Sequence, residues 1–176
     1  MKPAEELCNL YFRFTHSSSV YGMQYQRRDA MAVAKLDGSG RKILVIDDDL
    51  AIRVLLQAVL RRMKFDVELA EDGAAGLEKL GNGNDGEFDL VLLDLMMPKL
   101  NGYEFIERIG KQYPPDERPH IIVFTAAGKR GVDKIPADSV CASILKPFDL
   151  DKFIEIIADC LTDAHAAHPV STRSGE

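Results

Sequence analysis

Four short apolar runs each end on a polar residue able to do chemistry: KILVI before Asp47 and Asp48, DLVLL running into Asp94, IIVF before Thr125, and ASIL before Lys146. The runs are unbroken rather than alternating, the pattern of strands covered on both faces, as in parallel sheets. Segments of helical length separate them. In an open parallel α/β sheet, ligands bind beyond the carboxyl ends of the strands. One sheet built from these runs would therefore bring three carboxylates, a hydroxyl and an ammonium to one patch. Acids packed together raise one another's pKa. A hard divalent cation relieves that repulsion, and Mg²⁺ is commonly held by one or two carboxylates with waters and phosphate oxygens. The set reads as a place where a phosphoryl group is put on a carboxylate.

Between the runs the helical signals are clear. After a first strand at about 42–47, Asp49 is placed to cap a helix. Ile52, Leu55, Leu56, Val59, Leu60 and Met63 then fall at i, i+3, i+4, i+7, i+8 and i+11, one buried stripe. A short strand at 66–70 and a helix over 74–80, capped by Asp72, follow, and GNGNDGE reads as turn chemistry. The third strand is 90–94, followed by a helix burying Phe105, Ile106 and Ile109. PPDERP is a loop, and the fourth strand is 121–125. The last helix, 150 to about 163 and capped by Asp149, puts Leu150, Phe153, Ile154, Ile157 and Leu161 on one face. Five strands alternating with helices predict a doubly wound α/β sheet.

The motifs ILVIDDD, VLLDLMMP with NGYEF, IIVFTA and LKPF resemble, in order and spacing, the receiver domain of two-component response regulators. The match runs from about Arg41 to Leu161. The resemblance implies a flavodoxin-like (βα)5 fold with strand order 2-1-3-4-5. It also implies Asp94 as phosphoacceptor, taking a phosphoryl group from a sensor histidine kinase or a histidine phosphotransfer protein. Mg²⁺ would be bound directly by Asp48, Asp94 and the Met96 backbone carbonyl, and through water by Asp47. Thr125 would hydrogen-bond the phosphate, Lys146 would bridge it, and Pro147 matches the family's cis-proline. Output would pass to an unidentified downstream protein by phosphorylation-dependent binding or relay. Taken singly, Asp48 reads as a helix cap and Lys146 as a surface lysine. Asn101 and Gly102 read as the turn that starts the third helix. His120, at a strand entrance, reads as structural.

Two departures stand out. Receivers usually carry an aromatic three residues before the lysine; here it is Ser143. Between Thr125 and Lys146 lie Gly128, Gly131 and Pro136. Gly and Pro cost about 1 and 3 kcal/mol relative to Ala inside a helix, so the fourth helix should be short or displaced.

Composition narrows the function classes. Net charge is −6, yet residues 1–40 hold five Lys and Arg against four acids, leaving −7 on the rest. Such an acidic domain argues against direct nucleic-acid contacts. Cys8, Cys141 and Cys160 are scattered and odd in number, which suits a reducing compartment, the latter two packing as small apolar residues. They have no zinc or copper spacing. With no membrane-length apolar run and no signal-peptide layout, a cytoplasmic location is expected.

The organisation expected is a receiver over 41–163 between two ends. Residues 1–40 read as an extension that is disordered or arises from a start codon placed too early, and 164–176 as a polar tail too short for an output domain. Two other functions compete. A haloacid-dehalogenase-like phosphatase also uses Asp, Mg²⁺, Thr and Lys, but its acidic pair comes last and its nucleophile lies in DxD; here Met96 occupies the second position. A pseudo-receiver scaffold usually lacks an acid or the lysine, and neither is missing. No enzymatic turnover is expected beyond self-catalysed phosphoryl acceptance and slow autodephosphorylation.

Overall fold

Because both faces of every central strand must be covered, the chain alternates strand and helix throughout. The computed structural model describes residues 36–82 and 88–167. In chain order the elements are β1 (Lys42–Ile46), α1 (Leu50–Arg62), β2 (Asp66–Ala70), α2 (Gly73–Asn82), β3 (Leu90–Leu93), α3 (Gly102–Gln112), β4 (His120–Thr125), α4 (Gly128–Val132), β5 (Ala142–Leu145) and α5 (Leu150–Ala167). The five strands form one parallel sheet in the order β2-β1-β3-β4-β5. The order reverses between β1 and β3, which is where a doubly wound sheet opens a ligand crevice.

The unbroken apolar runs split by parity between two layers. Ile43 and Val45, Leu90 and Leu92, and Ile122 and Phe124 face α1 and α5, against Leu56, Leu60, Phe153 and Ile157. Leu44 and Ile46, Val91 and Leu93, and Ile121 and Val123 face the other way, against Phe105, Ile106 and Ile109 of α3. The whole α1 stripe packs on the sheet, with Ile52 and Leu55 only partly buried at its margin. Asp49 caps α1 by accepting from the Ala51 N–H at 2.8 Å, and Asp149 caps α5 by accepting from Asp151 and Lys152 at 3.0 Å. Asp72 accepts from the Ala75 N–H at 2.8 Å and pairs with Lys99 at 2.6 Å; the lysine and the amide hold its carboxyl below the usual range.

Some boundaries differ from the sequence reading. Helix α2 continues to Asn82, into the glycine-rich segment whose remainder, 83–87, lies outside the described residues. PPDERP contains a single 3-10 turn, Pro115–Glu117. Helix α4 is indeed short, five residues opened by Gly128 at φ +67°, a left-handed conformation that glycine tolerates. The expectation for the cysteines needs correction. Cys141 is exposed, and it is joined to Cys160 by a disulfide with Cα atoms 6.1 Å apart. The start of β5 lies beside the C-terminal half of α5, a proximity that 19 residues of sequence separation conceal. Cys8 and the expectations for 1–35 and 168–176 lie outside the described residues.

Candidate functional site

Asp47, Asp94 and Lys146 each sit immediately beyond a strand, held there by the last rung of the ladder, Asp48 follows Asp47, and Thr125 is the last residue of β4. The Asp94 N–H donates to Ile46 O at 2.9 Å, the Asp47 N–H to Ala70 O at 3.3 Å, and the Lys146 N–H to Thr125 O at 2.9 Å. The extensions of β1, β3, β4 and β5 therefore end side by side. Asp47, Asp48 and Asp94 each offer a carboxylate oxygen within 4.8 Å of the other two, the only such group of ligating side chains among the described residues.

Lys146 ties the cluster together. Its ammonium lies 2.6 Å from Asp47 Oδ2 and 2.6 Å from Asp94 Oδ2. It also sits 4.7 Å from the centroid of the buried Phe124 ring, within cation–π range. The Lys146–Pro147 bond is cis. Burial alone would lower the Lys146 pKa, but its hydrogen bonds to Asp47 and Asp94 outweigh that and hold it above its usual value. Asp47 is raised in turn, because desolvation at 0% exposure exceeds the help from Lys146 and the Asp49 N–H, and Asp94 adds like charge. Asp94 is 5% exposed and accepts from the Met96 N–H at 3.1 Å. Asp48 is exposed, and among the described residues its carboxylate takes no hydrogen bond. Met96 is 59% exposed. Thr125, 0% exposed, accepts at Oγ1 from the Ala127 N–H at 3.1 Å.

Asp47, Asp48, Asp94 and Lys146 thus meet, Thr125 ends the neighbouring strand with its carbonyl bonded to the Lys146 N–H, and the Met96 backbone lies two positions beyond Asp94. Three hard oxygen donors around one point, two of them already sharing the Lys146 cation, fit a magnesium ion: the donor chemistry is right, and the charge excess is one a divalent cation relieves.

Three contributors escaped the sequence reading. Arg53, on the first turn and a half of α1, reaches back and donates to Asp47 O at 2.6 Å, pinning the acidic loop. Helical side chains lean toward the N-terminus, so its place five residues after Asp48 was the available signal. Phe124 supports Lys146, but nothing in an apolar run marks which residue faces a cation. Gly102 does more than start α3. Asn101 forms a capping box with Glu104, while a Cβ on Gly102 would run into Asp94 O and lie 2.8 Å from Leu95 Cα. Gly102→Ala should therefore cost about 1–3 kcal/mol and displace the Asp94 loop. Urea denaturation checks the first effect; unchanged stability would mean the loop yields freely.

The response regulator receiver domain family matches residues 43–158. The response regulator ArlR of Staphylococcus saprophyticus is 33% identical over 115 residues, spanning 64% of this chain and 49% of that protein. The chain spans about half or less of the curated relatives it matches, 29% in the case of a CpxR homolog of Haemophilus influenzae described as a transcriptional regulatory protein. Among solved structures, a CheY-like receiver domain protein from Methanospirillum hungatei superposes with a TM-score of 0.65 at 27% identity, covering 73% of this chain and 98% of that one. The response regulator TrrA of Thermotoga maritima, solved with Mg²⁺ and BeF, gives 0.60 at 30% identity over 68% of this chain and 98% of its own. TrrA was also solved with the histidine kinase ThkA.

Proposed function

We propose, because this chain belongs to the response regulator receiver domain family, that its Asp94 accepts a phosphoryl group from a phosphohistidine on a kinase or phosphotransfer protein. The carrying observation is the Lys146 ammonium 2.6 Å from both Asp47 and Asp94, with Asp48 completing a three-acid cluster. A carboxylate oxygen of Asp94 attacks phosphorus, the N–P bond breaks, the imidazole leaves, and an acyl phosphate forms. Asp48, Asp94 and the Met96 carbonyl would hold Mg²⁺, with Asp47 acting through water. Bound there, the ion supplies charge neutralisation for the carboxylates and the phosphoryl oxygens. Lys146 moves its hydrogen bonds to the phosphate and Thr125 donates its hydroxyl. TrrA, solved once with Mg²⁺ and BeF and separately with a histidine kinase, supports the metal and the class of partner.

Receivers signal and do not turn over substrate as enzymes do, and slow autodephosphorylation is the only hydrolysis proposed. A cytoplasmic setting is consistent with the absence, among the described residues, of any helix long and apolar enough to cross a membrane. The output is a phosphorylation-dependent protein contact or relay. Its target is left open by relatives that are transcriptional regulators extending well beyond this chain. Incubation with Mg²⁺ and acetyl phosphate, followed by intact mass, tests the reading. A single phosphate adduct that needs Mg²⁺ supports it; continued hydrolysis without an adduct points to a phosphatase, and an unmodified chain to a scaffold.

The route of the signal follows from Ser143. It is exposed and carries no ring to turn inward. Thr125 instead connects through its Ala127 contact to α4, whose Gly131 O accepts from the Tyr103 hydroxyl at 3.0 Å. When Thr125 turns toward a phosphate, the Ala127 N–H loses its acceptor and α4 is the element released. Amide exchange with beryllofluoride should change most over 125–136 and less over 141–145. A maximum at Ser143 and the outer face of α5 would sink this route.

A further inference from the structure

The Cys141–Cys160 pair lies at the end of the sheet opposite the acidic cluster. Cys141 immediately precedes β5, with its N–H donating to Ile121 O at 2.8 Å near the start of β4, whereas Thr125 ends β4 at the acid pocket. Strands rise about 3.3 Å per residue, so a strand's length separates the two chemistries. Both cysteines line a cavity of about 290 Å³ whose other walls include Ile106 and Ile109 of α3, Arg118, His120 and Asp138. The two residues are unequal. Cys141 is exposed on the surface, whereas Cys160 is 3% exposed and packs among the buried residues of the α1 and α5 layer.

We propose that Cys141 and Cys160 form a reversible thiol–disulfide exchange site, entered at Cys141 by a small-molecule thiol of the glutathione class. Disulfides exchange by in-line attack of a thiolate, at a rate set by access and by the leaving thiol. Cys141, the exposed residue of the pair, is the end at which such a thiolate enters. Its attack there breaks the Cys141–Cys160 bond, forms a mixed disulfide on Cys141, and expels Cys160 as a thiolate that takes a proton. A second thiolate attacks the small-molecule sulfur of the mixed disulfide, releasing Cys141 and the small-molecule disulfide. Two external thiols are oxidised and one protein disulfide is reduced, a two-electron exchange that runs backwards with the oxidised small molecule. Arg118 lines the same cavity, its guanidinium donating to Tyr113 O at 2.8 Å and Gly110 O at 2.7 Å, and Asp138 brings the opposing charge. Oxidation ties the start of β5 to α5; reduction releases that tie without touching Asp94. The site stands on this pair and its cavity, independently of the phosphoryl chemistry.

Equilibrating the full chain in buffers of reduced and oxidised glutathione, then trapping thiols by differential alkylation and mapping peptides, tests it. The linked Cys141–Cys160 peptide should give way to two alkylated peptides over a two-electron window, while Cys8 behaves separately. Cys160→Ser should carry one glutathione on Cys141, and Cys141→Ser should leave Cys160 unmodified in the folded protein. The proposal is overturned if both cysteines stay reduced in excess oxidised glutathione, if the link survives excess reduced glutathione, or if Cys141→Ser gathers the adduct on Cys160.

Discussion

Lys146→Ala is expected to destabilise the metal-free protein by about 3 kcal/mol, and Mg²⁺ should restore much of the loss. The lysine is the only cation hydrogen-bonded to both Asp47 and Asp94 among the described residues, at 2.6 Å each, and both acids are buried. Deleting one partner of a buried ion pair leaves uncompensated charge, which costs more than the pair itself contributes. The deficit should grow with pH. Asp47 already has a raised pKa through burial, and without Lys146 it rises further. An acid whose pKa is higher folded than unfolded binds its proton more readily when folded. Stability is therefore recovered as pH falls through that raised value toward 3.8, and lost above it. Urea denaturation in EDTA and in Mg²⁺, at two pH values, checks this. Equal stability of variant and wild type in EDTA would mean the acids do not depend on the lysine.

The second large effect concerns the metal. Asp48→Ala should weaken Mg²⁺ binding by on the order of 100-fold, and Asp47→Ala by nearer tenfold. Asp48 is exposed and its carboxylate is uncommitted among the described residues, so it can turn to a cation at little cost. Asp47 is engaged by Lys146 and, at 2.7 Å, by the Asp49 N–H, which suits a water-mediated role. With no tryptophan in the chain to report binding, titration calorimetry is the measurement. Equal and small losses would contradict the division of roles.

Much of this was legible in the sequence because the information is local and periodic. Four apolar runs and their terminal residues locate the strand ends, and parallel-sheet geometry then brings Asp47, Asp48, Asp94, Thr125 and Lys146 together. Gly128 and Gly131 foretold the short α4. What was missed depends on approach between segments distant in sequence. The Cys141–Cys160 contact, the pressure of Gly102 against the Asp94 carbonyl, and Phe124 beneath Lys146 have no periodicity to announce them. Arg53 was hidden differently, as one charged residue on a helix whose apolar stripe commands attention.

Whether Asp94 carries the phosphoryl group can be read directly. After labelling with acetyl phosphate and Mg²⁺, borohydride reduction converts an acyl phosphate on Asp to homoserine, which peptide mass spectrometry locates. Homoserine is expected at position 94 in the wild-type chain, and no adduct at all in a folded Asp94→Asn variant. Homoserine at position 47 or 48, or undiminished labelling of Asp94→Asn, would contradict it.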